Sequence, residues 1–190
     1  MSKLILQNIA DFDFDTLPVF WREFNLKSFS KEKTLYDFQE KALENALKVL
    51  WLYYGDKFDH KEKENLEVNN ERKKEIFQLY QDRLEQDFSY DLAKKEGKKA
   101  ANLLQEGYYP VVDNKIGFEN FINRMAFWMA TGSGKTLVIV KLIELFKKLI
   151  ENKEIPANDI LFLTYREDLL DQFKEYIREF NASNPDIFSI

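Results

Sequence analysis

Apolar side chains recur at three- and four-residue steps between Leu35 and Tyr54: Phe38, Ala42, Leu43, Ala46, Leu47, Val49 and Leu50. That spacing keeps one side of a helix apolar, with Thr34 as a candidate N-cap and Gly55 as a stop. Upstream, residues 1–33 carry scattered aromatics (Phe12, Phe14, Phe20, Trp21, Phe24, Phe29) and predict short helices or loops packed on a neighbour. Residues 56–107 change character and are dense in charge of both signs. Within them Ile76, Tyr80, Leu84, Phe88 and Leu92 form an i, i+4 stripe, which predicts a long helix or a helical hairpin with one wet side. Gly97 and Gly107 are its candidate break points.

After Pro110 the pattern shifts again. Arg124–Ala130 (RMAFWMA) and Ile160–Tyr165 (ILFLTY) are short apolar runs that predict buried strands. An apolar helix is expected over Thr136–Ile150. An amphipathic one is expected over Asp168–Phe180, with Leu169, Leu170, Phe173, Ile177 and Phe180 on one side. Strand, loop, helix, strand, helix reads as a βαβα unit with a parallel sheet. The expected fold class is therefore α/β, with an N-terminal helical region (1–55), a charged helical insertion (56–107) and an α/β region (108–190).

The loop between the first strand and its helix carries the chemistry. Met129–Thr136 reads MATGSGKT. A polyphosphate needs many donors at close range, and glycine lets backbone N–H groups at Gly132, Ser133, Gly134 and Lys135 turn inward together. Such a loop opens a helix, whose positive end faces the anion. Thr131 begins the turn, Lys135 reaches the phosphates, and the Thr136 hydroxyl is placed for Mg²⁺. A chance Gly-Ser turn followed by Lys-Thr is the bland alternative. It does not account for the strand before and the helix after.

Composition narrows the class. At 190 residues the chain can bury one sizeable core. A net charge of −5 argues against a dedicated nucleic-acid-binding module, though not against a motor with a local groove. There is no cysteine, so disulfides and cysteine-type zinc sites are excluded. No apolar run reaches the roughly 20 residues that span a bilayer, and the first residues lack the pattern of a signal peptide. Cytoplasm is the expected location. His60, the sole histidine, lies in the charged segment and is expected to be solvated.

Met129 stands where the general phosphate loop has glycine. MATGSGKT resembles the loop of superfamily 2 helicases, and most closely that of the motor subunits of type I and type III restriction enzymes. Two further stretches follow the same order. Leu35–Ala42 (LYDFQEKA) is similar to that family's glutamine motif, and Ile160–Gln172 (ILFLTYREDLLDQ) to its motif Ia. The resemblance implies a partial RecA-like domain, with ATP and Mg²⁺ as cofactors and double-stranded DNA as partner. A modification or specificity subunit is a further possible partner. It gives Gln39 the adenine edge, Tyr36 the base face, and Thr164 and Arg166 the nucleic-acid backbone. Solvated Gln39, and Arg166 paired with Glu167, Asp168 or Asp171, are the ordinary alternatives.

The resemblance also implies an Asp-Glu pair after motif Ia, and no strand followed by such a pair is found. The chain is thus expected to be the first part of a motor, able to bind nucleotide but not to turn it over. Its apolar end (Ile187, Phe188, Ile190) favours self-association. Because the glutamine motif falls within the first forty residues, a type III-like subunit or a stand-alone helicase-like protein fits better than a type I subunit. A small-molecule kinase and a helical interaction module with a degenerate motor half are the other readings.

Overall fold

The computed structural model describes residues 5–55, 66–84, 89–91, 109–113 and 115–184. The apolar end at 187–190, His60, Phe88, Leu92, Gly97 and Gly107 lie outside them. The chain divides into two compact units, one formed by Met1–Glu64 with Ala126–Ile190 and the other by Asn65–Met125.

The first unit is built from helices. Short α1 (Ile5–Ile9), a 3-10 turn (Phe14–Thr16) and α2 (Val19–Arg22) lead to α3 (Asp37–Tyr54). After residue 126 come α5 (Lys135–Glu151) and α6 (Glu167–Ser183). Helix α3 packs on α1 and α5, and α5 packs on α6. The three long helices predicted for this unit are present, with ends up to three residues from the expected bounds. For α3 the N-cap is Tyr36 rather than Thr34.

The core of this unit follows the helical stripes. Leu43 and Leu47 of α3, Val140 and Leu149 of α5, and Phe180 of α6 are fully buried, beside Ile9 and Phe29. The loop 27–35 folds back on itself, with Leu35 N–H donating to Lys27 O at 2.7 Å. It then clasps α6. Phe29 meets Phe180 edge-on at 5.2 Å between centroids. Ser30 Oγ donates to Glu179 at 2.8 Å, and Asn184 Nδ2 donates to Phe29 O at 3.0 Å. Trp21, also buried, donates its indole N–H to Glu154 at 2.9 Å.

Two charges lie within the apolar side of α5. Lys141 Nζ sits 2.5 Å from Glu144 Oε2, with both side chains about 95% or more buried. The ammonium also donates to Asn25 O at 2.8 Å, and Lys148 donates to the other Glu144 oxygen at 2.6 Å. Burial pushes the Lys141 pKa down, against the pull of Glu144. A buried pair adds little net stability, but removing one partner costs about 3–5 kcal/mol.

In the second unit, α4 (Leu66–Leu84) packs on a 3-10 turn (Phe118–Phe121). Ile76 and Tyr80 of the predicted stripe are buried. Strands β1 (Ser89–Asp91) and β2 (Lys115–Gly117) pair antiparallel. The Arg124 guanidinium lies over the Tyr109 and Phe121 rings at 5.3 and 5.6 Å.

The expected α/β class is overturned. Among the described residues this two-stranded antiparallel ladder is the only sheet, and the parallel, RecA-like core is not there. Arg124–Ala130 and Ile160–Tyr165 run as non-helical chain without a ladder. A central parallel strand needs a hydrogen-bonding neighbour on each edge, and no described segment supplies one. The same side chains that suggested burial are consequently bare: Trp128 is 86% exposed and Leu163 79%. An apolar run specifies what a strand would bury, not that its partners are at hand. Met125, Phe127, Met129 and Phe162 are half-buried, the last stacked on Phe173 of α6 at 4.0 Å.

Candidate nucleotide-binding site

The loop before α5 is bent by two glycines. Gly132 has φ +78° and Gly134, the N-cap of α5, has φ +74°. These are left-handed values that cost an L-residue about 1–2 kcal/mol. Ser133 N–H closes the turn on Ala130 O at 3.2 Å, and its hydroxyl donates to the same oxygen at 2.6 Å. The loop runs directly into the 17-residue α5, so the N-terminal end of that helix opens at it. Beside Gly132 there is open space, since a Cβ built there meets nothing within 4 Å.

Lys135 is exposed and curls back over the loop. Its ammonium donates to Met129 O at 2.7 Å and to Ala130 O at 2.8 Å. Those carbonyls hold the cation where an anion in the loop would meet it. Thr136, the next residue, directs its hydroxyl toward Gln172 Oε1 of α6 at 3.4 Å, a long and weak contact. The donor set suits a polyphosphate, and the Thr136 hydroxyl suits a hard cation such as Mg²⁺.

Gln39 lies against this loop, although 94 residues separate it from Ser133. It is 1% exposed. Its Oε1 accepts from Tyr36 N–H at 2.8 Å, so it caps the start of α3. Its Nε2 donates to Ser133 O at 2.7 Å. The contact is close enough that a Cβ on Gly134 would fall 2.5 Å from Nε2. Gln39 is thus neither solvated nor remote, and one carboxamide joins α3 to the backbone of the glycine loop. Tyr36 stands at the surface beside it, 68% exposed.

Thr164 and Arg166 lie on the chain entering α6. Arg166 N–H points to Thr164 Oγ1 at 3.4 Å. The guanidinium forks onto Asp168, through Nε at 2.9 Å and through Nη2. That partner raises the Arg166 pKa and lowers that of the Asp168 carboxyl. Both side chains are more than half exposed, so the pair is weak and open to exchange. No described bond connects Thr164 or Arg166 to the loop at 129–136.

The helical spacing places Phe38 in the apolar stripe of α3. It is instead 53% exposed and stacked on Tyr36. The signal was available, because Gln39, Leu43, Ala46 and Leu50 follow the helical period better than Phe38 does. Lys141 and Glu144 fall within the apolar helix expected over Thr136–Ile150. Their i, i+3 opposite charges were the only hint.

A family model described as "Type III restriction enzyme, res subunit" matches residues 32–189. The chain belongs to this family. The matched span begins just before the glutamine motif and runs through α6, so it takes in Gln39, the phosphate loop and Arg166. This is a superfamily 2 helicase-like family, of the helicase or restriction-motor type in general. No curated protein and no solved structure gives a match. Among the described residues no helix is long and apolar enough to cross a membrane.

Proposed function

We propose that the chain is the nucleotide-binding front of a DNA-translocating restriction motor, holding ATP and Mg²⁺ at residues 131–136. The observation that carries this is a loop hinged at two left-handed glycines, opening a long helix and closed over by Lys135. Backbone N–H groups of Gly132 to Lys135 bind the phosphates, Lys135 supplies the mobile positive charge, and Thr136 holds the metal. Bound ATP–Mg²⁺ brings a polarised γ-phosphoryl group to this loop. The chain's own residues position it.

In this reading Gln39 sets the loop, Tyr36 faces the base, and Thr164 and Arg166 face the DNA backbone once phosphate displaces Asp168 from the Arg166 fork. The proposed setting is cytoplasmic, with double-stranded DNA and a modification subunit as partners of the whole motor. An acidic pair able to polarise water is not among the motifs of these 190 residues, so binding without turnover is expected.

The test is equilibrium binding of ATP with Mg²⁺ to the chain and to Lys135→Ala. A loss of affinity of about 30-fold or more is expected, from removing charge-assisted bonds worth about 2 kcal/mol or more. Equal affinity in the two proteins would refute the assignment, and steady-state hydrolysis abolished by Lys135→Ala would refute binding without turnover.

A further inference from the structure

Helix α6 meets the start of α5 at Gln172. Its Oε1 accepts from the Thr136 hydroxyl at 3.4 Å, and among the described residues that oxygen is the hydroxyl's only acceptor. Gln172 is exposed, but its neighbour Phe173 is buried and stacked on Phe162 at 4.0 Å. The rim of α6 that carries Gln172 is thereby anchored beside α5.

As a stabilising contact this bond explains little, being long, exposed and replaceable by water. The position of the hydroxyl gives it another use. A threonine inside a helix commonly gives its proton to a carbonyl three or four residues back. Thr136 is the second residue of α5, so those carbonyls belong to the glycine loop, and that of Ser133 already accepts from Gln39 Nε2 at 2.7 Å. The proton goes to α6 instead.

A hydroxyl that ligates a hard cation does so through an oxygen lone pair, so its proton has to point at an acceptor elsewhere. The cation makes that hydroxyl a stronger donor. Such bonds are often long in the free protein and tighten with the ligand. Groups behind a metal's direct ligands orient those ligands.

We infer that Gln172 is a positioning residue for the metal side of the site: its Oε1 takes the Thr136 proton and turns the free lone pairs of Oγ1 toward the Mg²⁺ of the bound triphosphate. This rests on the assignment of phosphates and Mg²⁺ to residues 131–136 above. Gln172 acts through Thr136 and is not a metal ligand.

The experiment measures the ATP affinity of the whole chain with Mg²⁺ and with EDTA. It compares the parent, Gln172→Leu, Gln172→Glu, Thr136→Ala and the double variant of Thr136→Ala with Gln172→Leu, with circular dichroism as a check on folding. The parent should bind ATP more tightly with Mg²⁺. Gln172→Leu should weaken ATP about fivefold with Mg²⁺ and leave the EDTA value unchanged. Gln172→Glu keeps an acceptor oxygen and should keep the Mg²⁺ response. The double variant should lose no more than Thr136→Ala alone, because the acceptor acts only through that hydroxyl. Unaltered affinity in Gln172→Leu overturns the inference, and so does an equal loss with Mg²⁺ and with EDTA. A loss that adds to that of Thr136→Ala, or a Gln172→Glu variant that behaves as Gln172→Leu, overturns it too. If the parent binds ATP equally with Mg²⁺ and EDTA, the metal assignment at Thr136 falls and the inference with it, while the phosphate loop stands. If ATP binds under neither condition, the phosphate-loop assignment falls as well.

Discussion

Gly132 and Gly134 have nearly the same left-handed φ, yet their surroundings differ. A methyl at Gly132 enters open space, whereas one at Gly134 strikes the Gln39 amide. Gly132→Ala should therefore cost only the backbone strain, about 1–2 kcal/mol. Gly134→Ala should cost that strain plus the displaced Gln39 bonds, about 1 kcal/mol or more beyond its neighbour. Denaturant unfolding of the two variants checks the order. Gln39 is also where a close reading of the sequence falls short by a small margin. Its presence in a glutamine motif was legible, but its burial was not: the apolar stripe runs through Phe38, and a solvated Gln39 is the ordinary alternative. Its partner was not legible, because a bond to a carbonyl 94 residues away leaves no local trace.

Among the elements, Glu179 is the charged group of α6 that the loop 27–35 binds, beside the Phe29 ring contacts. Burial opposes ionisation of this carboxyl, but bonds from Lys33 and Ser30 outweigh it and hold its pKa below the ordinary 4.5. A lowered pKa means that the unfolded chain takes up the proton first as pH falls. The stabilisation is thus complete above about pH 5 and fades through and below 4.5. Glu179→Gln should lower stability by about 1 kcal/mol at neutral pH and flatten the decline in acid. Thermal unfolding between pH 3 and 7 measures both. The helices of this unit were legible because amphipathic spacing reports a buried side directly. The strands were not, because an apolar run of six or seven residues looks the same whether or not a neighbour offers its edge. Trp128 and Leu163, apolar and bare, mark that ambiguity. The buried Lys141–Glu144 pair was hidden for the opposite reason, since charge on a helix usually means water.

At the scale of the whole molecule, the two units carry separate cores, Ile76 with Tyr80 in one and Leu43 with Phe180 in the other. The glycine loop at 131–136, Gln39, Tyr36 and Phe38 all belong to the first. Replacing residues 65–125 with a Gly/Ser linker of about 20 residues, long enough to act as a flexible coil, should leave ATP affinity within about threefold of the parent. Calorimetric titration of the shortened chain tests this, and loss of binding would assign the second unit a part in the site. The bond between Gln39 and Ser133 has a consequence for chain length. It closes a long ring, and the entropy of closing a flexible ring grows only with the logarithm of its length. Doubling that length costs about 0.6 kcal/mol, less than one ordinary hydrogen bond returns. The distance in sequence between the two motifs is therefore almost free to drift, and lineages can lengthen or shorten the intervening stretch while the same carboxamide closes the same ring.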